Sequence, residues 1–316
     1  MKIIDMRKYD DYPKSLRKNK YIFIFCMLII SVVSFLVFYV YVNLQSILLA
    51  FQEFVDYADD GSRMYRWNLS NFRFLFKELL GNSETSTSLA LAFKNTLLLF
   101  FCGNIVSFPM GCIVSYYLWK KISGYKFFRT VFYLPAVLSS VVMVMIFKKI
   151  IDPNGLISTI NVMINGEPLP SLLQKDSTAI WMIWVYNTWV GFTGNYILLT
   201  AALMRIPGEI VESARLDGAN AVVEYIRICI PLCWPTLYII LIQKIAGVLS
   251  ADGPILLMTG GAHKTTTLGF WSYQQVFLNG TYEYASAVGI VMTCMIAPIA
   301  IISKNLLGRV YKDVEF

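Results

Sequence analysis

The chain has 316 residues, of which 57% are hydrophobic and 15% charged, and its formal net charge is +7. Typical soluble domains are about 45–50% apolar and about 25% charged, so this composition excludes a disordered chain, a small secreted domain and most soluble enzymes. Six cysteines and a single histidine are present. The cysteines lie mostly inside apolar stretches, so neither a disulfide framework nor a zinc site is indicated.

Six segments are apolar enough for membrane helices, which need about 20 residues. Lys244 is the one charged residue inside them. The third segment is short and contains Pro135, and the fifth begins at Pro231, where the first helical turn tolerates proline. The predicted spans run from Tyr21 to Val42, Thr96 to Leu118, Val131 to Phe147, Ile180 to Met204, Pro231 to Ser250 and Ala285 to Ser303.

The positive charge is distributed unevenly around these spans. Outside them, seventeen Lys and Arg residues fall on the side that carries both termini, and nine fall on the other side. Basic flanks favour the cytoplasm, so both termini are predicted to be cytoplasmic and the charge is interpreted as an orientation signal. The first span is longer than a signal-peptide core and has no small-residue cleavage site, so it is predicted to be a retained anchor.

The predicted organisation is an all-α integral membrane protein with six transmembrane helices. A cytoplasmic N-terminal segment (1–20) precedes one membrane domain (21–304), and a cytoplasmic tail (305–316) follows it. The membrane domain includes an outer loop (43–95) and a cytoplasmic loop (205–230).

The cytoplasmic loop predicts two short helices joined at Asp217-Gly218-Ala219. Pro207 suits a first helical turn, and Gly218 suits a helix end because glycine accepts the left-handed conformation. Asn220 can cap the second helix, which Pro231 is expected to end. Such a turn-tipped surface suits docking into a groove of a partner, and a plain helical connection is the alternative.

The same residues resemble a known motif. Glu212-Ser213-Ala214, Asp217-Gly218-Ala219 and the ending Ile228, Pro231 and Pro235 resemble the EAA loop of bacterial ABC importer permeases. That family has Glu-Ala-Ala, three residues, Gly, and an Ile-x-Leu-Pro ending. This chain departs from the pattern at Ser213 and Ile230, and both replacements are conservative in size.

Further segments extend the resemblance over roughly residues 20 to 310. The run from Arg129 to Pro135 resembles the start of a membrane helix in the family. Thr259-Gly260-Gly261 and Tyr284 to Ala287 resemble later segments. Asn71-Phe72 followed by Asn95-Thr96 is similar to the outer loop of the sugar-permease branch, which includes maltose, glycerol-3-phosphate and polysaccharide importers. The resemblance implies a type I ABC importer permease fold.

The resemblance also implies a mechanism and partners. Such a permease forms a heterodimer with a second, homologous permease in the bacterial cell membrane, and an extracellular solute-binding lipoprotein delivers a carbohydrate, here an oligosaccharide. Two cytoplasmic ATPase subunits bind ATP and Mg²⁺, so this chain is expected to be non-catalytic, with no cofactor or metal of its own. The coupling residues implied are Glu212, Ser213, Ala214, Asp217, Gly218 and Ala219.

Polar and small residues inside the fourth and fifth spans predict a solute path, because polar groups exposed to lipid are costly. The alternative for the glycines is close packing of membrane helices. Lys244 could pair with an anionic solute or a partner acid, or reach an interface by snorkelling. The predicted path residues are Asn187, Gly191, Gly194, Asn195, Gln243, Lys244, Gly247 and Ser250.

Two other functions fit the sequence less well. An ion-coupled secondary transporter of a polar solute often has acids inside its spans and inverted repeats, and this chain has no Asp or Glu in its predicted spans. A membrane enzyme would need a convergent set of His, Asp, Glu or Cys side chains, and none stands out. The ATP-binding Gly-x-x-x-x-Gly-Lys-Ser/Thr pattern does not occur, which fits a permease whose ATPase is a separate chain.

Overall fold

The computed structural model describes residues 14–81, 88–250 and 254–310. Within this part of the chain the structure is mostly helical. Two compact units are distinguished. The first contains described residues up to 71 together with 282–287, and the second contains 72–281 and the remainder. The predicted N-terminal segment and tail lie largely outside the described residues.

The first unit begins with an uninterrupted helical stretch and continues into a small β-hairpin. Helix α1 (Lys14–Phe35) passes through a π-helical segment (Leu36–Tyr41) into α2 (Val42–Ala50). Strands β1 (Gln52–Tyr57) and β2 (Arg63–Trp67) then pair antiparallel, with a register shift between Phe54 and Asp56. The expectation of an all-α chain is therefore wrong for the predicted outer loop, where β-branched and aromatic residues such as Val55, Tyr57 and Trp67 favour strands.

The remaining elements are helices. In chain order they are α3 (Ser70–Leu80), α4 (Leu89–Trp119), α5 (Tyr125–Val137), α6 (Ser140–Ile151), α7 (Leu156–Asn165), α8 (Ala179–Leu203), α9 (Gly208–Leu216), α10 (Ala221–Glu224), α11 (Ile230–Ala246), α12 (Ile255–Met258), α13 (Leu268–Tyr273) and α14 (Tyr282–Leu307). Two further π-helical segments are Tyr225–Cys229 and Gln274–Leu278.

Four helical stretches in the described residues are long and apolar enough to cross a membrane: Tyr21–Ala50, Leu89–Trp119, Ala221–Ala246 and Tyr282–Leu307. A bent pair, Tyr125–Val137 with Ser140–Asn165, makes a fifth candidate. Helix α8 occupies the predicted fourth span but lies outside this set, since Trp, Tyr, Asn and Thr residues lower its hydropathy. The chain is thus a multi-pass membrane protein, and the residues described contain four or five recognisable spans.

The predicted third span, Val131 to Phe147, is not one continuous helix. The chain axis turns by 114° between α5 and the helical stretch that follows it. The break falls at Leu138 and Ser139, whose backbones are extended. Ser139 then caps α6, because its Oγ accepts a hydrogen bond from the Val142 amide at 3.4 Å. A capping serine in place of an apolar residue therefore begins a new helix.

Pro231 does not end the helix that follows Asn220, contrary to the expectation from sequence. Helix α10 passes through the π-helical segment Tyr225–Cys229 directly into α11, and Pro231 lies in the first turn of α11. In an α-helix the ring of Pro231 would clash with the carbonyl of Arg227, four residues earlier. The wider π turn contains Arg227 and leaves room for that ring.

Helices α4 and α8 pack along a stripe of small residues in which every fourth position of α4 is buried. Ser115 Oγ donates hydrogen bonds to the carbonyl of Gly111 at 2.6 Å and to that of Tyr196 at 3.2 Å. A methyl group added at Gly111 would lie 3.2 Å from the carbonyl oxygen of Phe192. The backbones therefore approach closely, as small-residue faces allow in membranes. The stripe consists of Gly103, Ser107, Gly111 and Ser115.

Candidate functional site: the loop between α8 and α11

The predicted turn between the two short helices is present, and Gly218 lies at its centre. Gly218 has φ +84°, a left-handed conformation that a residue with a Cβ adopts only with strain. Its amide donates to the carbonyl of Arg215 at 3.0 Å, and the amide of Ala219 donates to that of Ala214 at 3.0 Å. Nothing lies within 4 Å of a Cβ added at Gly218, so backbone conformation, not space, requires glycine.

Asn220 caps the second helix as predicted. Its Oδ1 accepts hydrogen bonds from the amide of Val222 at 3.1 Å and from that of Val223 at 2.9 Å. These two donors have no partner within the helix. The turn and the cap therefore fix the angle between α9 and α10 through local hydrogen bonds, independently of any partner.

Helix α9 presents one face to the protein and its C-terminal tip to the outside. Val211 is buried, whereas Glu212, Ser213, Asp217 and Gly218 are exposed, and Ala214 and Ala219 are half-buried. Leu216, the last residue of this helix, is 89% exposed. An exposed leucine beside a glycine turn is a residue that sequence reasoning missed, and only its position at the helix end could have indicated it.

The loop is held to α4 by a buried carboxylate. Glu224, in α10, is 2% exposed and forms ion pairs with Lys120, which caps the end of α4, and with Arg215 of α9. Cys229 and Cys233 lie buried nearby.

The predicted path residues of α8 are not all in one environment. Gly191 faces α4, because a Cβ added there would lie 3.5 Å from Ser107 Oγ. Asn195 lies beside Gly111 and donates its side-chain amide to the carbonyl of Gly191 at 3.0 Å. Gly194 is exposed with open space around it, and Asn187 is half-buried. The α8 set thus includes residues in the α4 contact and residues directed away from it.

On α11, the predicted path residues diverge in a similar way. Gln243 is exposed, whereas Lys244 is half-buried and donates a hydrogen bond to Asn104 of α4 at 2.6 Å. Gly247 follows the end of α11, and its amide donates to the carbonyl of Gln243 at 2.9 Å. The side chain of Ser250 lies outside the described residues. Asn104 was missed in the sequence, although it is a polar residue inside a predicted span.

Asn95-Thr96, which the sequence singled out as part of a family pattern, forms a clamp on a distant loop. The side-chain amide of Asn95 donates to the carbonyls of Lys264 and Thr266, both at 2.8 Å. The hydroxyl of Thr96 accepts a hydrogen bond from the Leu268 amide at 2.9 Å. Since both side chains are buried, this clamp satisfies backbone groups that water does not reach.

Metal coordination finds no support among the residues described. Within residues 14–81, 88–250 and 254–310 there is no group of three His, Cys, Asp or Glu side chains that could hold a metal ion.

Comparison with known proteins gives consistent relatives. No protein-family profile matches the chain. The multiple sugar-binding transport system permease protein MsmF of Streptococcus mutans is 29% identical, covering 75% of this chain and 82% of its own. The arabinooligosaccharides transport system permease protein AraP of Bacillus subtilis is 26% identical, covering 88% and 86%.

The fold has a counterpart among solved structures. A bacterial ABC transporter involved in the import of the acidic polysaccharide alginate contains a chain that superposes with a TM-score of 0.79 at 21% identity. The superposition covers 95% of this chain and 100% of that one. The curated homologues are sugar ABC transporter permeases and the fold is that of an ABC importer permease, so the family resemblance seen in the sequence is confirmed.

Proposed function

We propose that the chain is a permease subunit of an ATP-driven ABC importer and forms part of the path for a carbohydrate, specifically an oligosaccharide. The relatives named above are permeases of sugar and oligosaccharide transport systems. The observation that carries the proposal is the exposed tip of α9, with Gly218 at φ +84° and Leu216 projecting beside it. This tip has the residue pattern of a coupling loop and a shape suited to a groove.

The tip is proposed to dock on an ATPase subunit. Glu212, Ser213, Ala214, Asp217, Gly218 and Ala219 are assigned as the coupling residues. Gly218 permits close approach of the backbone, and Glu212, near the end of an exposed helical face, offers a carboxylate to a basic or hydroxyl partner. ATP and Mg²⁺ are then bound by that partner, and this chain is non-catalytic.

The other partners follow from the same proposal. A second, homologous permease completes the path, and a solute-binding lipoprotein delivers the sugar from outside. The solved alginate transporter has been captured with an alginate-bound periplasmic protein, which supports an external binding protein as a component of such assemblies.

Helix α8 is proposed as a further membrane span. With it, the six predicted spans cross a bacterial cell membrane. Its 25 residues would extend about 38 Å at about 1.5 Å per residue, more than the roughly 30 Å of a bilayer core. The excess of basic residues on one side, together with an even number of spans, supports a cytoplasmic location for both termini.

The solute path is proposed along α8 and α11. Asn187 and Gln243 supply polar side-chain amides to it, and Gly194 borders open space. Neutral amides suit sugar hydroxyls because they donate and accept hydrogen bonds without charge. An ion-coupled secondary transporter is less well supported, since the relatives are components of ABC transport systems.

The test is ATPase stimulation in the complete reconstituted complex. Gly218→Trp and Glu212→Lys should assemble and retain basal ATPase activity, yet lose stimulation by the sugar-loaded binding protein. Glu167→Lys, an equal charge change at an exposed site in another loop, is the matched control and should behave as wild type. Normal stimulation in both loop variants would disprove the docking assignment.

A further inference from the structure

One cluster of charged side chains joins three elements. It consists of Lys120 at the end of α4, Arg215 in α9 and Glu224 in α10. The carboxylate of Glu224 contacts Lys120 Nζ, and it lies 3.3 Å from Arg215 Nε. Glu224 is buried and Lys120 is half-buried, but the side chain of Arg215 is 54% exposed. The cluster therefore extends from the inside of the protein to the surface of α9, two residues before Asp217.

The end of α4 is shaped to receive this cluster. Lys120 Nζ lies over the ring of Tyr116 at 5.4 Å and over that of Trp119 at 5.1 Å, which stabilises the cation. The hydroxyl of Tyr116 donates to the carbonyl of Ala221 at 3.1 Å. Its ring packs on Tyr225 with centroids 4.8 Å apart. Charge, hydrogen bonding and ring packing thus join α4 to α10 and to the π-helical segment that follows it.

We propose that Glu224 is a positioning residue that makes α4 follow movements of the coupling loop. This inference rests on the proposed function. A partner docked on the tip of α9 contacts or desolvates the half-exposed Arg215. Arg215 is paired with Glu224, and Glu224 is paired with Lys120 at the end of α4. A displacement of α9 is therefore transmitted to α4, a membrane helix that is distant from α9 in the sequence.

Stability alone does not account for such a cluster. Buried ion pairs are often no more stabilising than apolar groups of the same volume, because desolvation offsets their attraction. What paired charges add is a defined geometry, since a carboxylate shared by two cations disfavours every arrangement that separates one of them. This property suits a joint between moving elements.

The first experiment measures coupling in the complete complex. Arg215→Met keeps the aliphatic packing and removes the surface charge, and it should assemble and retain basal ATPase activity while stimulation by the loaded binding protein falls about fivefold or more, the usual size of a coupling effect. Glu224→Gln should do the same, and the double variant should be no worse than either single one. Glu224→Asp should restore part of the stimulation. Wild-type stimulation in Arg215→Met would overturn the proposal.

A second measurement does not depend on transport. Spin labels introduced through a non-natural amino acid at Ser123 and Glu209, both exposed, report the distance between the loop after α4 and helix α9 in the full chain in nanodiscs. The distribution should be narrow in the wild type and broad in Glu224→Gln. Equal widths would overturn the joint even if the importer assignment holds. If the two distance distributions differ as expected but no binding protein stimulates the complex, the joint is retained and the importer assignment is refuted.

Discussion

Lys244 Nζ donates a hydrogen bond to the side-chain oxygen of Asn104 at 2.6 Å, and this bond joins α11 to α4. The amide nitrogen of Asn104 in turn donates to the carbonyl of Phe100 at 2.8 Å, which fixes its oxygen toward the lysine. The one charge inside a predicted span is thus paired with a neutral side chain of the same protein.

Replacing Asn104 should therefore lower the stability of the protein more than replacing Lys244, the charged residue with which it is paired. Asn104→Ala leaves a half-buried ammonium without this acceptor and should lower the unfolding free energy by about 1–3 kcal/mol, whereas Lys244→Met should be close to neutral. Thermal unfolding in detergent measures both. Asn43→Ala, an exposed amide bonded to its own helix, is the control. Equal unfolding temperatures for Asn104→Ala and wild type would contradict the pairing.

The clamp at Asn95 predicts an unusual order of severity. Asn95→Asp is isosteric but replaces the donor with an acceptor facing the carbonyls of Lys264 and Thr266, so it should be more destabilising than Asn95→Ala. The alanine variant should cost about 1–3 kcal/mol through the loss of two buried hydrogen bonds. Chemical unfolding ranks the variants, and an aspartate variant as stable as the wild type would show that the clamp is not needed.

Two buried glycines of α4 offer a matched comparison of backbone approach. Gly111→Ala forces a methyl group against the carbonyl of Phe192 and should cost about 1–3 kcal/mol, as overpacking does. Gly103→Ala meets nothing within 4 Å and should be neutral or stabilising by up to about 1 kcal/mol. Unfolding temperatures of the two variants are compared directly. If Gly103→Ala is as damaging as Gly111→Ala, helix flexibility and not close packing explains the glycines.

The turn at the tip of α9 predicts a difference between alanine and asparagine at position 218. Gly218→Ala places a Cβ in a left-handed conformation and should cost about 1–2 kcal/mol, whereas Gly218→Asn should cost less because asparagine tolerates that conformation. Stimulated ATPase activity should fall in the same order. Identical stability of both variants would mean that the turn relaxes to another conformation.

The predicted solute path is tested with Asn187→Ala and Gln243→Ala. Each should reduce uptake about fivefold, the equivalent of one hydrogen bond of about 1 kcal/mol, while the complex still assembles. Asn161→Ala removes a half-buried amide on α7 outside the path and is the control for loss of a side-chain amide. Loss of assembly in the first two variants would indicate helix packing instead.

Local rules account for the features that sequence alone could predict. Gly218 and Asn220 act through their own backbone neighbours, so the turn and the cap are readable from residue type. The apolar stretches of α4 and α14 are readable from their length. In contrast, the partner of Lys244 lies 140 positions away, and the cluster at Glu224 joins three separate elements. Such contacts depend on tertiary packing, which residue patterns do not specify.

Two predictions from the sequence are wrong for a similar physical reason. Pro231 was expected to end a helix because an α-helix cannot accept it, but a π turn can. The third span was expected to be continuous because its residues are apolar on both sides of Ser139, but the capping hydrogen bond of that serine outweighs local hydropathy. In both cases one residue selects a backbone geometry outside the regular helix on which the prediction was based.

The π turn at Tyr225–Cys229 amounts to one residue more than an α-helix would use. Because each helical residue turns the chain by about 100° and advances it about 1.5 Å, this additional residue sets the direction in which the tip of α9 points relative to α11. Deleting a single residue from the π turn would rotate the tip of α9 relative to α11. The tip would then no longer fit its groove, although none of its side chains would change. The orientation of the loop therefore depends on the number of residues in the π turn, and not only on the side chains at the tip.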